Sequence, residues 1–520
     1  MRAIVFVFCL LSNTLFSQNV NISGGAFYEG EPFIALNPNN NNHLVVAWMG
    51  FQFGQKVVIK TKTSFDSGQT WSNTSILPHI VAANGSADPS IRIDNNGTVF
   101  LCYVDFDSEN FSNGAIVVSR SQDGGLNWQT PVEVISISEC PNQLCIDRPW
   151  IAIDNSGGTL DGTIYVTSMN ANQPTIVTPP YHPYLSVSTD NGASFSDFRF
   201  LDTVNFQVGS IIDKPMPSPS VAADGRFIAI YPSFESSQSP FAQSFMASSY
   251  SGGVDLTHSL VNQASQGFSE TLTKKGPLLI ASKIDPSHYA FLQLSEVEGD
   301  LDVFLLETND AGLTWSPLIR VNDDPIGNGV FQDLVWADFN EADDLVVCWR
   351  DRRNGGTGFS SNSDIYAAVK FNDSSNFSAN FPVTDSTVQH DPMLENSGND
   401  FMSVVFTNDT IHAVWGDVRN NVINIFYNKM SVIDPVLNIT PISTSDWNLE
   451  MIYPNPASEY VMLDNNLVGF KYQLFSEEGK LTKEGILNSP QLMINDLHIG
   501  KYLIVLESSQ ELLTFSFIKR

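Results

Sequence analysis

The sequence predicts an all-β chain: a seven-bladed β-propeller followed by a small β-sandwich. Three observations carry that expectation. A unit of roughly sixty residues recurs seven times. An eight-residue phrase recurs four times, as SFDSGQTW (64–71), SQDGGLNW (121–128), STDNGASF (188–195) and TNDAGLTW (308–315). After residue 435 this rhythm stops and short alternating strands begin. Four-stranded units at a constant period point to a propeller, with six blades as the alternative count.

Composition sets the frame. The chain has 520 residues, too many for one ordinary core. There are 56 acidic and 26 basic residues, a net charge of −30. Such a surface repels nucleic acid and anionic membrane, and an anionic ligand needs a local basic patch. Arg2 and the apolar run AIVFVFCLLSNTLF read as a signal peptide over 1–17, cleaved after Ser17 and too short to span a bilayer. No other stretch suits a transmembrane segment, so the mature chain is expected to be exported and soluble. The expected divisions are 1–17 signal peptide, 18–435 propeller, 436–449 linker and 450–520 C-terminal module. Cys9 leaves with the leader. Cys140 and Cys145 in ECPNQLCIDRPW lie close together in an exported loop and are expected to pair. Cys102 and Cys348 sit in apolar strand-like runs and read as buried free thiols.

Each copy opens on an apolar run, such as EPFIALNPNNNNHLVVAW or DPSIRIDNNGTVFLCYVDF. The openings are read at Pro32, Pro89, Pro149, Pro215, Pro277, Leu334 and Pro392. The first copy supplies PFIALN, HLVVAW, KVVIKTKT and WSNTSIL, β-branched runs separated by turn signals. The seventh copy stops after its third strand, VINIFYNKM. The segment NVNISGG (19–25) precedes the first copy without a partner. It is expected to supply the missing strand and close the ring, which removes open sheet edges.

The repeated phrase falls at the turn between third and fourth strands. Its Asp accepts hydrogen bonds from turn N–H groups, and its Gly supplies a positive φ. The pattern S-x-D-x-G-x-T-W resembles the Asp-box (BNR) repeat of sialidases and other secreted propellers. In that family the box is structural, which assigns Asp66, Asp123, Asp190 and Asp310 to the fold. SSYSGGV in the fourth copy reads as a decayed box, with Tyr250 in the place of Asp. The C-terminal module resembles the sorting domain of the type IX secretion system, through Tyr453-Pro454-Asn455-Pro456-Ala457, Gly479, Gly500-Lys501-Tyr502 and Lys519-Arg520. The resemblance implies a Gram-negative bacterium of the Bacteroidetes type and a partner in the secretion machinery. It also implies release from the cell or attachment to the outer-membrane surface, and no catalytic role for the tail.

In a propeller, first-strand starts and second-strand ends share one rim, opposite the boxes, and function gathers in its loops. The residues just before the openings are Glu31, Asp88, Arg148, Lys214, Gly276, Asp333 and Asp391. Blades six, seven, one and two present acids, and blades three and four present cations: a divided mouth. Clustered carboxylates raise one another's pKa, as a general acid requires, or bind a cation such as Ca²⁺. Capping of each strand by its own acid is the simpler reading. Glu31, Asp88 and Asp391 are thus the candidate acids. WRDRRN (349–354) and WGDVRN (415–420) share W-x-D-x-R-N. Its Asp–Arg pairs read as structural salt bridges. Arg350 and Arg352 fall outside the shared pattern and suit carboxylate or sulfate. With Arg148, Lys214 and Arg419 they make up the candidate ligand-binding cations. The long third-copy loop NANQPTIVTPPYHPY adds Tyr181 and His182 as catalytic candidates beside Arg148, a solvated loop being the plainer place for His182.

Three functions compete. The resemblance implies a sialidase-like glycoside hydrolase on anionic glycans, with an arginine triad, a Tyr nucleophile paired with Glu, and an Asp acid. Where that family has Arg-Ile-Pro, this chain has GEPFIAL, with Glu31 near the arginine place. Arg148, Arg350 and Arg419 make an alternative triad. A polysaccharide lyase would use Arg to neutralise charge and His182 or Tyr181 as base. A non-catalytic glycan- or protein-binding propeller needs neither. The hydrolase reading is preferred. It requires no cofactor, with Ca²⁺ a candidate, and its expected partner is an anionic polysaccharide or glycoconjugate.

Overall fold

The computed structural model describes residues 19–52, 56–173, 175–202, 215–233, 241, 243–263, 277–390, 399–432, 452–476, 480–507 and 512–520. The expected leader (1–17), the linker (436–449), Lys214, Asp391 and Gly479 lie outside these residues. The chain divides into two compact units, Met1–Val432 and Ile433–Arg520.

Among the described residues of the first unit the sequence period becomes seven four-stranded antiparallel sheets. Runs such as Val99–Phe106 (VFLCYVDF) are β-branched and aromatic and are buried along nearly their whole length. Neighbouring sheets cover both of their faces, so they do not need polar alternation. The inner strands are β2 (Glu29–Asn37), β6 (Gly85–Ile93), β10 (Asp147–Ile153), β14 (Ser218–Val221), β18 (Leu278–Ala281), β22 (Gln332–Phe339) and β26 (Ser403–Thr407). Each packs against the next, and β26 packs against β2, so the sheets form a closed ring.

The seam lies in the last sheet, whose order is β1 (Val20–Asn21), β28 (Asn424–Ser431), β27 (Thr410–Asp417), β26. Val20 pairs with Tyr427 and Asn21 with Phe426. Ile22 N–H donates to Ile425 O at 2.9 Å. Asn19 N–H donates to Asp385 Oδ2 at 3.1 Å, and Asp385 N–H donates to Asn19 Oδ1 at 2.8 Å. The chain start therefore supplies the fourth strand that the seventh copy lacks.

The boxes form turns on the far rim. In the first, Asp66 accepts from Ser64 Oγ at 2.7 Å and from Thr70 N–H at 2.8 Å, and Gly68 N–H donates to Ser64 Oγ at 2.8 Å. Asp123, Asp190 and Asp310 repeat this pattern with Asn127, Ser194 and Thr314. Each turn leans on the preceding blade. A Cβ on Gly68, whose φ is +82°, would collide with the hydroxyl of Tyr427. Trp128 Nε1 donates to Thr61 Oγ1 across the same kind of junction at 3.1 Å. The fourth turn corrects the sequence alignment. Ser251, not Tyr250, holds the Asp place: Asp255 N–H donates to Ser251 Oγ at 2.8 Å, and Gly253 N–H donates to Ser249 Oγ at 3.0 Å. A serine makes part of the same turn, while Tyr250 is 67% exposed and has Arg226 over its ring.

The second unit holds a four-stranded sheet, β31 (Leu481–Ile486), β30 (Lys471–Ser476), β33 (Gly500–Glu507) and β34 (Leu512–Lys519), and a two-stranded sheet of β29 (Tyr460–Met462) and β32 (Gln491–Met493). Val461, Leu474, Leu492, Ile504 and Phe517 share its core.

Candidate functional site

Four inner strands carry the same local distortion. Their ladders shift register between Gly30 and Phe33, Ala87 and Ser90, Asp147 and Trp150, and Asp333 and Trp336. A bulge sets two residues against one and re-aims their side chains. One residue in each bulge has left-handed φ: Glu31 at 55°, Asp88 at 52°, Arg148 at 47° and Leu334 at 56°. Such conformations cost about 1–3 kcal/mol each in non-glycine residues and persist only where the surroundings enforce them. The register also corrects two openings. Leu334, not Asp333, is the equivalent of Glu31, so the sixth opening is Val335 and Asp333 takes the place of Asp147. In the seventh blade Ser403 pairs with Val414, just before Trp415, as Trp336 pairs with Cys348, just before Trp349. That opening is therefore Met402, not Pro392, and Asp400 takes the place of Asp147.

These strands bring together Glu31, Asp88, Asp147, Arg148 and Asp400. Asp88 is the hub. The Glu31 and Asp147 carboxyl groups both stand beside its carboxyl group, and Arg148 N–H donates to Asp88 Oδ2 at 3.1 Å. The Arg148 guanidinium donates to Asp400 Oδ2 at 2.5 Å, lies 5.5 Å from the centre of the Phe401 ring and touches Met216 Sδ at 3.4 Å. Asp400 N–H donates to Glu31 Oε1 at 3.3 Å, while Glu31 Oε2 is buried with no hydrogen-bond partner in hand. Beneath lies an aromatic floor: Phe33 is 4.7 Å from Trp336, and Trp150 is 5.4 Å from Trp336 and 5.7 Å from Phe401. Tyr28 is buried beside the acids, its hydroxyl against Gly30, where any Cβ would collide with it.

This crowding sets the protonation. Burial, then the Asp88 and Asp400 carboxylates, push Glu31 well above the usual carboxylate range, and Arg148 offsets only part of it. Burial and Asp88 push Asp147 up to about 8. Burial and the same acids raise Tyr28, so its phenol keeps its proton. At neutral pH Asp147, partly exposed at the mouth, favours its protonated form, and Glu31 underneath is displaced in the same direction. Proton donation is within the chemistry of the mouth.

Other expected residues lie elsewhere. Arg350 makes a two-pronged contact with Asp333, at 2.7 and 2.6 Å, and Arg352 reaches the same carboxylate at 3.1 Å while donating to Phe359 O at 2.8 Å. Both are buried. The two guanidiniums neutralise Asp333 instead of facing a ligand. Arg419 is held by Asp417 at 2.7 Å and Asp385 at 2.5 Å. Arg353 repeats this with Asp351 and Asp323. The W-x-D-x-R-N motif is thus a clasp, with its Trp indole N–H on the same Asp. His182 is neither solvated nor at the mouth. It is buried, its Nδ1 meets Asp202 at 2.9 Å, and its ring stacks on Phe200 at 3.9 Å. Tyr181 packs against that same apolar cluster of the third blade. Cys140 and Cys145 form a disulfide, and Cys102 and Cys348 are free and buried. Among the described residues no three His, Cys, Asp or Glu side chains are arranged to hold a metal, so the Ca²⁺ candidate gains no ligand set.

Asp147, Asp400 and Tyr28 were not singled out in the sequence. Asp147 precedes Arg148 and needs the bulge to face the mouth. The spacing of 66 between the two W-x-D-x-R-N motifs, carried from the sixth opening, lands near Asp400 rather than Asp391.

Comparison with known proteins adds the following. The chain is similar in structure to the endosialidase of phage phi92 (12% identity, 96% of this chain and 87% of that one, TM-score 0.45). It is similar to the NanB sialidase of Streptococcus pneumoniae (12%, 79% and 70%, 0.40). It is also similar to the GH93 α-L-arabinofuranosidase of Fusarium graminearum (13%, 80% and 97%, 0.41). No match was found among curated protein sequences. Among the described residues no helix is long and apolar enough to cross a membrane. Residues 451–520 match the secretion system C-terminal sorting domain. The second unit is therefore a type IX sorting tail, and the protein is secreted or attached at the cell surface.

Proposed function

We propose that the first unit is a glycan-directed propeller acting as a glycoside hydrolase at the Glu31–Asp88–Asp147 ladder. The observation that supports this most is the ladder itself: three carboxyl groups on adjacent inner strands, two of them in left-handed bulges, with raised acids on either side of one acceptor. Hydrolysis of a glycosidic bond needs an acid that still holds its proton and a second carboxylate. Asp147, half-exposed and raised, is the proton donor. Asp88 is the partner carboxylate, and Glu31 positions it from below. Among the described residues one guanidinium, already on Asp400, faces four carboxyl groups, a balance that favours a neutral ligand over an anionic one.

A second reading is a binding propeller without turnover. The direct carboxyl contacts favour it, because hydrolase pairs flanking a bond stand about 5–9.5 Å apart. Purified chain incubated with neutral and anionic oligosaccharide panels separates the two. New reducing ends, lost in Asp147→Asn, are expected for the hydrolase. Binding that needs Asp147 but releases no product marks the module. Equal action on anionic glycans with Asp147→Asn unchanged would overturn both.

A further inference from the structure

A cleft of about 340 Å³ opens on the mouth rim of the second blade, outside the carboxyl ladder. Strand pairing fixes its place: Phe106, ending β7 (Val99–Phe106), faces Gly114 at the start of β8 (Gly114–Ser121), and Ser136, ending β9 (Val132–Ser136), faces Ala115. Its three walls are the loops around 80–84, 111–113 and 137–144. Ile80, Val81, Phe111, Ile137, Pro141 and Leu144 give it apolar surface. Asn84, Asn113, Glu133 and Ser138 give it polar groups, and Asn113 Oδ1 is buried with no hydrogen-bond partner in hand. Among the described residues neither lysine nor arginine lines it.

The walls stand ready without a ligand. Asp105 ties the first: it accepts from His79 Nδ1 at 3.0 Å, Ile80 N–H at 3.1 Å and Asn84 Nδ2 at 2.6 Å. Asp107 ties the second, accepting from Glu109 N–H at 3.1 Å and Ser112 Oγ at 2.6 Å. The Cys140–Cys145 disulfide and a Gln143 Nε2 bond to Thr178 O at 2.9 Å tie the third. Phe111 and Leu144 are held at left-handed φ of 51° and 41°. Preformed walls spare a ligand the cost of ordering them. Asn84 also begins the stretch Asn84–Asp88, so the cleft and the ladder are joined by roughly 13 Å of extended chain.

We propose that this cleft is a second subsite for the same neutral glycan that enters the mouth, so that the protein takes an extended neutral oligosaccharide instead of a lone terminal sugar. This rests on the glycan reading of the mouth. A sugar ring has apolar CH faces and a hydroxyl rim, which the mixed lining matches. Glu133, exposed on the lining with no lysine or arginine among the described lining residues, disfavours sulfate and uronate. The volume suits a ligand unit at the small end of binding pockets.

The test uses the full mature chain and neutral oligosaccharides of two to six units from several linkage classes, with affinity measured for parent, Ser138→Trp, Val81→Trp and Asp88→Ala. Ser138 and Val81 are exposed on different walls, so the two tryptophans fill the cleft independently. The parent is expected to bind longer chains at least tenfold tighter than the shortest ligand. Both tryptophan variants should keep the affinity for the shortest ligand and lose most of that gain. A parent with no gain on lengthening, or tryptophan variants that keep it, overturns the subsite. Failure of the mouth reading shows separately, as Asp88→Ala binding the shortest ligand like the parent.

Discussion

Asp147 and Asp333 hold the same place in their blades, two residues before the end of an inner-strand bulge, and have opposite fates. At Asp333, burial works against ionisation, yet Arg350 and Arg352 hold it well below the usual carboxylate range. At Asp147, burial meets Asp88 and Asp400 instead, and the group is pushed up to about 8. One backbone position thus yields a structural ion cluster in the sixth blade and a proton-holding acid in the third. The difference lies in what the second strand offers opposite: Arg350 faces Asp333 and Met169 faces Asp147. The fold supplies the position, and the facing side chain decides between stability and chemistry.

The largest expected effect comes from breaking the sixth-blade cluster. Arg350→Ala removes the two-pronged partner of a buried carboxylate, leaving Arg352 at 3.1 Å, and should destabilise the protein by about 3 kcal/mol. Arg148→Ala should cost only about 1–2 kcal/mol, because its ion pair with Asp400 is half-exposed. Denaturant unfolding of both variants checks the order, and equal losses would erase the contrast.

A pH series sharpens the comparison. Above about pH 4 an unfolded Asp is ionised, while native Asp147 keeps its proton up to about 8. The native state therefore binds the extra proton, and stability falls as pH rises across that window. Asp147→Asn should flatten the slope, gaining at least about 1 kcal/mol at pH 8 relative to pH 5. Parallel slopes in parent and variant would place the proton elsewhere.

The far rim should give the smallest effect on function. Hydrogen bonds from Thr70, Ser194 and Thr314 hold Asp66, Asp190 and Asp310 near about 2. Their contribution is complete above the unfolded value near about 4 and is lost as pH falls toward about 2. Asp66→Ala should lower the unfolding temperature at pH 7, with a smaller difference at pH 3, and leave glycan binding untouched. A normally stable variant that no longer binds would contradict the structural role of the box.

How much of this was legible in the sequence depended on whether a feature was local. The box is a hydrogen-bond pattern closed within seven residues, and the seventh copy visibly lacked a strand, so turn and seam were both readable. The mouth was half readable. Glu31, Asp88 and Arg148 stand before prolines and were found, but Asp147 and Asp400 depend on a bulge register that no single copy reveals. The arginines misled because a charge outside a repeat resembles a ligand contact. Asp333, seventeen residues before Arg350, claims it across the ladder. His182 misled in the same way, since its partner Asp202 comes from the outer edge of the blade after the box.

The account rests on a carboxyl group that stays protonated in the mouth at neutral pH. Difference infrared spectroscopy of parent minus Asp147→Asn, titrated from pH 5 to pH 9, reads that proton directly and needs no substrate. The expected result is a protonated-carboxyl band in the parent at pH 7, fading as pH passes about 8 and missing from the variant. A parent spectrum showing only ionised carboxylates for this residue at pH 7 would contradict the account.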